Sequence, residues 1–195
     1  EIMIVCDRDD IPVEYLVRDM LSQAEHDPDA RAILVTTSSK QAEDVAKRLK
    51  KLIPTLPRRE IIEASFANRS AIIVAQDLVE IFEAVNEIAP EHLEVLTEQP
   101  FEDLHRIRNA GAIFLGPNTP EPVGDYFAGP NHTLPTSGCA KFSSPLGVQD
   151  FVKTSSVISY SAERLQRQGE KIIRFAEEEK LFSHAEAIRV RLENQ

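Results

Sequence analysis

Apolar positions along the first two thirds of the chain alternate between two periods. Short unbroken runs, Ile2-Met3-Ile4-Val5-Cys6, Ala32-Ile33-Leu34-Val35-Thr36 and Ala71-Ile72-Ile73-Val74, read as buried strands, as do Leu93-Glu94-Val95-Leu96 and residues 111–116. Between them the apolar residues recur at helical spacing. Val13, Leu16, Val17, Met20, Leu21 and Ala24 define a first helix, and Ala42, Val45, Ala46 and Leu49 a second that starts at Ser38 or Ser39. Further helices are predicted over 58–67, over 78–88 behind an Asp77 cap, and over 101–108. Strands alternating with helices imply an α/β fold: an open, mainly parallel, doubly wound (Rossmann-like) sheet covered on both faces.

Residues 117–147 break this rhythm with Pro117, Pro120, Pro122, Gly124, Gly129, Pro130, Pro135, Gly138, Pro145 and Gly147. So long an irregular stretch inside a compact domain is functional or disordered. Its Asp125, Tyr126, Asn131, His132, Thr133, Thr136 and Ser137 favour function. Beyond it, 151–160 reads as an extended run, and 162–179 and 183–192 as two helices. The expected division is a Rossmann-like segment, 1–147, that carries the chemistry, and a small helical C-terminal tail, 148–195.

Composition narrows the function. The 195 residues hold 22 Lys and Arg against 32 Asp and Glu, a formal charge of −10, which argues against a nucleic-acid backbone binder. No run approaches a membrane span, and no signal-like segment opens the chain. Two distant cysteines, Cys6 and Cys139, make a disulfide framework improbable. A cytoplasmic location is expected. The first residue is Glu1, with no methionine before a strand-like run, which reads as a cut.

Four places carry candidate chemistry. Gln23 and His26, three apart, share a helix face near what is expected to be the carboxyl end of the layer. They could converge on an ion, or form a solvated helix terminus. Glu91-His92 stands before the fourth strand, either as a base and a water-activating carboxylate or as a capped turn. Asp125 and His132 lie in the long loop, where Asp125 reads equally well as a ligand or an Asx-turn residue. Glu179 and His184 stand at a junction in the tail, where a plain surface role is the simpler reading. No Walker loop, GxGxxG, HExxH or GxSxG occurs.

The ordered set Leu21-Ser22-Gln23-Ala24-Glu25-His26, Pro90-Glu91-His92-Leu93, Gly124-Asp125-Tyr126 and the loop from Gly129 to Thr136 resembles histidinol dehydrogenase. Phe142-Ser143-Ser144-Pro145-Leu146, Asp150-Phe151, Lys153, Glu179 and His184-Ala185 extend the resemblance through the chain. It implies a zinc (Zn2+) site of Gln23, His26, Asp125 and His184, which holds the substrate as Lewis acid and template. It implies His92 as the base, Glu91 as the group that activates water, and His132 and Glu179 as lining the substrate site. NAD would take the hydrides as L-histidinol becomes L-histidine through histidinal. Gln23, His26, His92, Asp125 and His184 would thereby also be substrate contacts. The resemblance covers the C-terminal half of the family's chains, implying an N-terminal half with most NAD contacts and a homodimer with exchanged tails. The alternatives are a non-catalytic metal- or ligand-binding fragment, or a related amino-alcohol or sulfonate dehydrogenase.

Overall fold

The computed structural model describes residues 1–193; the last two residues of the expected tail lie outside the described residues. The chain divides into two compact units, Glu1–Phe151 and Val152–Gln195.

In the first unit, strands β1 (Ile2–Cys6), β2 (Ala32–Thr36), β3 (Ala71–Val74), β4 (His92–Leu96) and β5 (Ala112–Leu115) form one sheet in the order β3-β2-β1-β4-β5. Every pairing is parallel, and the register sets Ile2 beside Ala32 on one side and His92 on the other. Parallel strands need crossovers, supplied by helices α1 (Val13–Ala24), α2 (Ser39–Leu52), α3 (Arg59–Asn68) and α4 (Leu78–Ile88). The caps are those the sequence specifies: Ser38 accepts from the Gln41 amide, and Asp77 from those of Val79 and Glu80.

Strand alternation splits the core in two. Ile2, Ile4, Cys6 and Leu34 pack with Leu16, Val17 and Met20 of α1, while Met3, Val5, Leu93 and Val95 pack with Ile81, Phe82 and Val85 of α4. The central strands β1 and β4 are buried along their whole length.

Two expectations are corrected, the helix over 101–108 and the irregular course of the long loop. Residues 101–108 are not an α-helix but a 3₁₀ turn, Glu102–Arg106, because Asn86 draws the following chain away. Its Oδ1 accepts from the amides of Arg108 and Asn109, and its Nδ2 donates to the Arg106 carbonyl. Residues 152–160 join no strand. The long loop contains a helix that sequence missed, α5 (Glu121–Tyr126), with Pro122 in its first turn, where a missing N–H costs nothing.

The second unit is a pair of helices, α6 (Ala162–Glu178) and α7 (Phe182–Glu193). Ile173, Ala176 and Ala185 are buried between them, and Gly169 lies where any Cβ would meet the Leu192 side chain at 2.7 Å. Ser161 caps α6 by accepting from the Arg164 amide.

Candidate functional site

The site forms at the amino-terminal edge of the sheet. Because β2 begins level with β1, α1 must carry the chain back to the edge from which β1 started. Gln23 and His26 therefore stand at the amino edge and not, as the sequence reading placed them, near the carboxyl end. Gln23 lies in the last turn of α1, and His26 just beyond it, its amide donating to the Gln23 carbonyl at 3.1 Å. His92 opens β4 at the same edge, level with Ile2 and Ala112.

Six of the residues singled out from sequence, Gln23, His26, Glu91, His92, Asp125 and His132, line one cleft of about 560 Å³, together with Glu121 and Tyr126. Gln23 is buried and its Oε1 has no hydrogen-bond partner. His26 and His132 are exposed on the cleft wall.

The orientation of His92 is fixed by its backbone neighbour. Nδ1 stands 2.9 Å from the Glu1 carbonyl oxygen, which only accepts, so Nδ1 carries the hydrogen and Nε2 the lone pair. Nε2 is buried without a partner, 3.8 Å from both Glu121 Oε1 and Asp125 Oδ1. Burial lowers the imidazole pKa, opposed by the Glu1 carbonyl and the carboxylates of Glu91 and Asp125. A neutral ring with an unpartnered Nε2 has a lone pair that can accept a proton. Glu91 accepts from the Glu1 nitrogen at 2.7 Å, and its Oε2 lies 3.9 Å from His92 Nδ1.

Helix α5 brings in a carboxylate that sequence reasoning passed over. Glu121 and Asp125, four apart, share one face and a hydrogen bond. Burial raises the Glu121 pKa to about 8, with the Asp125 carboxylate adding to the effect. Ligand atoms of His92, Glu121 and Asp125 lie within 4.8 Å of one another, a group that could hold a metal ion. Recognition of the helix would have exposed this pair, but Pro122 and Gly124 concealed it. Gly124 is the close-approach residue: a Cβ there would meet the Phe114 ring at 2.6 Å, so only glycine lets α5 settle against β5.

Beneath the cleft lie two more acids. Glu94, 1% exposed, shares a hydrogen bond with Asp19 of α1, and burial holds their pKa values up to about 9 and about 6. From about 4.5, where an unfolded glutamate ionises, to about 9, the folded chain keeps a proton on Glu94 that the unfolded chain releases. The stability tied to that proton is full below the lower value and is lost as pH rises through the upper one. The urea midpoint of the metal-free protein is therefore expected to fall between about pH 7 and about pH 9. A Glu94→Gln variant should flatten that slope, and equal slopes would contradict the assignment.

Glu179 and His184 belong to the second unit. Glu179 is the exposed C-cap of α6, and His184 is exposed in the first turn of α7. Lys180 between them adopts a left-handed φ of 61°, which reverses the chain.

Fold and cleft define a class first: a doubly wound α/β domain with a polar, metal-competent cleft at one sheet edge. Comparison with known proteins makes the assignment particular. The family model described as histidinol dehydrogenase matches residues 1–192. The histidinol dehydrogenase of Halalkalibacterium halodurans is 55% identical over 195 residues, all of this chain and 46% of the relative. That of Listeria monocytogenes serotype 4b is 51% identical over all of this chain and 45% of its own length. The crystal structure of histidinol dehydrogenase from Elizabethkingia anophelis superposes with a TM-score of 0.90 at 32% identity, over 99% of this chain and 44% of that one. The chain belongs to the histidinol dehydrogenase family, and it spans less than half the length of these relatives.

Proposed function

We propose that this chain is the metal- and base-bearing half of a zinc-dependent, NAD-linked enzyme of histidine biosynthesis that oxidises L-histidinol to L-histidine through histidinal. The observation that carries this reading is the convergence of Gln23, His26, Glu91, His92, Asp125 and His132 on one cleft.

The donor chemistry suits zinc. An amide oxygen, an imidazole nitrogen and a carboxylate oxygen are borderline-to-hard ligands, and the buried, unpartnered Gln23 Oε1 is an acceptor without a donor. Gln23, His26 and Asp125 would hold the ion, with His184 as the fourth ligand. Zinc, when bound, would supply a Lewis acid and a template for the amino alcohol.

His92 Nε2 takes the hydroxyl proton as the hydride leaves the adjacent carbon, and its Nδ1–H stays pinned to the Glu1 carbonyl. Glu91 activates the water that adds to the aldehyde before the second oxidation. His132 and Glu179 contact the substrate. The turn after β1 reads Asp7-Arg8-Asp9-Asp10, with no glycine and an acidic bias where a Rossmann sheet would receive a pyrophosphate. This edge does not fit NAD, and no cofactor contact is assigned to it.

His184 and Glu179 are proposed to act in the other subunit of a homodimer whose 148–195 tails exchange. Val157 and Ile158, 94% and 82% exposed, together with Phe175 and Phe182, leave the second unit with apolar surface that a partner would cover. No helix among the described residues is long and apolar enough to cross a membrane. A cytoplasmic setting suits a biosynthetic enzyme.

Joined to the half its relatives carry and loaded with zinc, the protein is expected to reduce two NAD per histidinol consumed. Spectrophotometric NADH release checks this. Zinc and histidinol binding without NADH release would favour a non-catalytic module. Faster turnover of another amino alcohol or a sulfonate would reassign the substrate.

A further inference from the structure

We infer that Glu94 is a positioning residue for the cleft: its carboxylate, by accepting the backbone hydrogen of Glu121, sets where α5 begins and so how Glu121 and Asp125 meet His92. The inference rests on the proposed function for its bearing on catalysis, and on the geometry alone for its mechanical content.

Helix α5 has little of its own to hold it. It is six residues long, too short to be stable by itself, and its N-cap is Pro120, which has no capping side chain. The amide of Glu121 donates instead across 27 residues of sequence to Glu94 Oε1, at 2.8 Å. Glu94 comes from the middle of β4, two residues beyond His92 and therefore on the same face of the strand. One strand thus carries both the base and the peg that locates the helix facing it.

Glu94 does not line the cleft, so it acts through Glu121. Behind it stands Asp19 of α1, hydrogen-bonded to it, which fixes the carboxyl group from the other side. A leucine would fill the same volume without the cost of burying a carboxyl group. What only an acceptor at that position supplies is a hold on the Glu121 N–H, whose loss would leave a buried donor unpaired. Gly124 on Phe114 is the second point of attachment, one turn along. The two contacts together locate both ends of a helix whose side chains stand 3.8 Å from His92 Nε2.

The test uses the zinc-loaded protein, this chain joined to the remaining half, with Glu94→Gln, Glu94→Leu and Glu94→Asp. Glutamine keeps the oxygen in place; leucine keeps the volume and loses the acceptor; aspartate keeps the acceptor but withdraws it by a methylene. Amide hydrogen exchange across 121–126 and zinc affinity by chelator competition are read for each. Glu94→Gln is expected to keep slow exchange and wild-type zinc affinity. Glu94→Leu and Glu94→Asp are expected to exchange about tenfold faster there, and to bind zinc about ten- to a hundredfold more weakly, as for outer-shell partners of metal ligands. Wild-type exchange and affinity in Glu94→Leu, or losses in Glu94→Gln equal to those in Glu94→Leu, would overturn the inference. Should the leucine variant not fold, the aspartate and glutamine pair decides by the same two readings. An inactive wild type would count against the proposed function alone, because the exchange rates still report on α5.

Discussion

On the proposed function, in the zinc-loaded protein joined to the half its relatives carry, His92→Ala is expected to lower kcat for histidinol oxidation by about 10²- to 10⁴-fold while zinc stays bound, the range over which a positioned general base accelerates proton transfer. The expectation follows from how the ring is held. The Glu1 carbonyl fixes the hydrogen on Nδ1, and burial keeps the ring neutral, so Nε2 offers a lone pair to the cleft at neutral pH. Alanine removes that lone pair and leaves Gln23, His26 and Asp125 in place. Added imidazole should restore part of the rate by entering the vacated space. Stopped-flow NADH release and zinc content by atomic absorption check the two halves of the claim. An unchanged rate would remove His92 from the role of base, and a loss of zinc would move it into the ligand set.

The fold was legible because both of its periods are strong. β1 reads as an unbroken apolar run and β4 as a short run interrupted only by Glu94, and both are buried along their length, while α1 and α2 carry clean stripes. The cleft was legible residue by residue but not in its place. Gln23 and His26 were seen as a pair, yet only the parallel register, which forces α1 back to the start of β2, puts them at the amino edge beside His92. Glu121 stayed hidden because the proline and glycine of its helix look like loop punctuation. Both are in fact requirements of that helix: Pro122 sits in a first turn that needs no donor, and Gly124 passes over Phe114. Glu94 was hidden for a different reason. The run around it reads as a strand, but nothing local shows that α5, arriving from 27 residues away, makes its carboxylate a buried acceptor. Local pattern fixes elements; the acids that serve the site are set by what the elements bring together.

Asp125→Ala is expected to weaken zinc binding more than any other single change in the first unit, beyond the roughly ten- to hundredfold typical of outer-shell partners. Asp125 is the residue that two donor sets share. One comprises Gln23, His26 and Asp125, which the proposed function uses; the other is His92, Glu121 and Asp125, whose ligand atoms already lie within 4.8 Å of one another. Substitutions outside Asp125 separate them. Under the first set, Gln23→Ala weakens zinc strongly, because it deletes the buried oxygen that has no other partner, and Glu121→Gln leaves the affinity near wild type. Under the second, Glu121→Gln and His92→Ala are the damaging changes and Gln23→Ala is mild. Competition with a chromogenic chelator ranks all four variants on one scale. The charge on α5 argues for the first ordering. Glu121 is raised to about 8, chiefly by burial with its neighbour Asp125 adding to the effect, so it keeps its proton at neutral pH and is the poorer ligand. A wild-type affinity in Asp125→Ala would dismiss both sets, and with them the metal at this edge of the sheet.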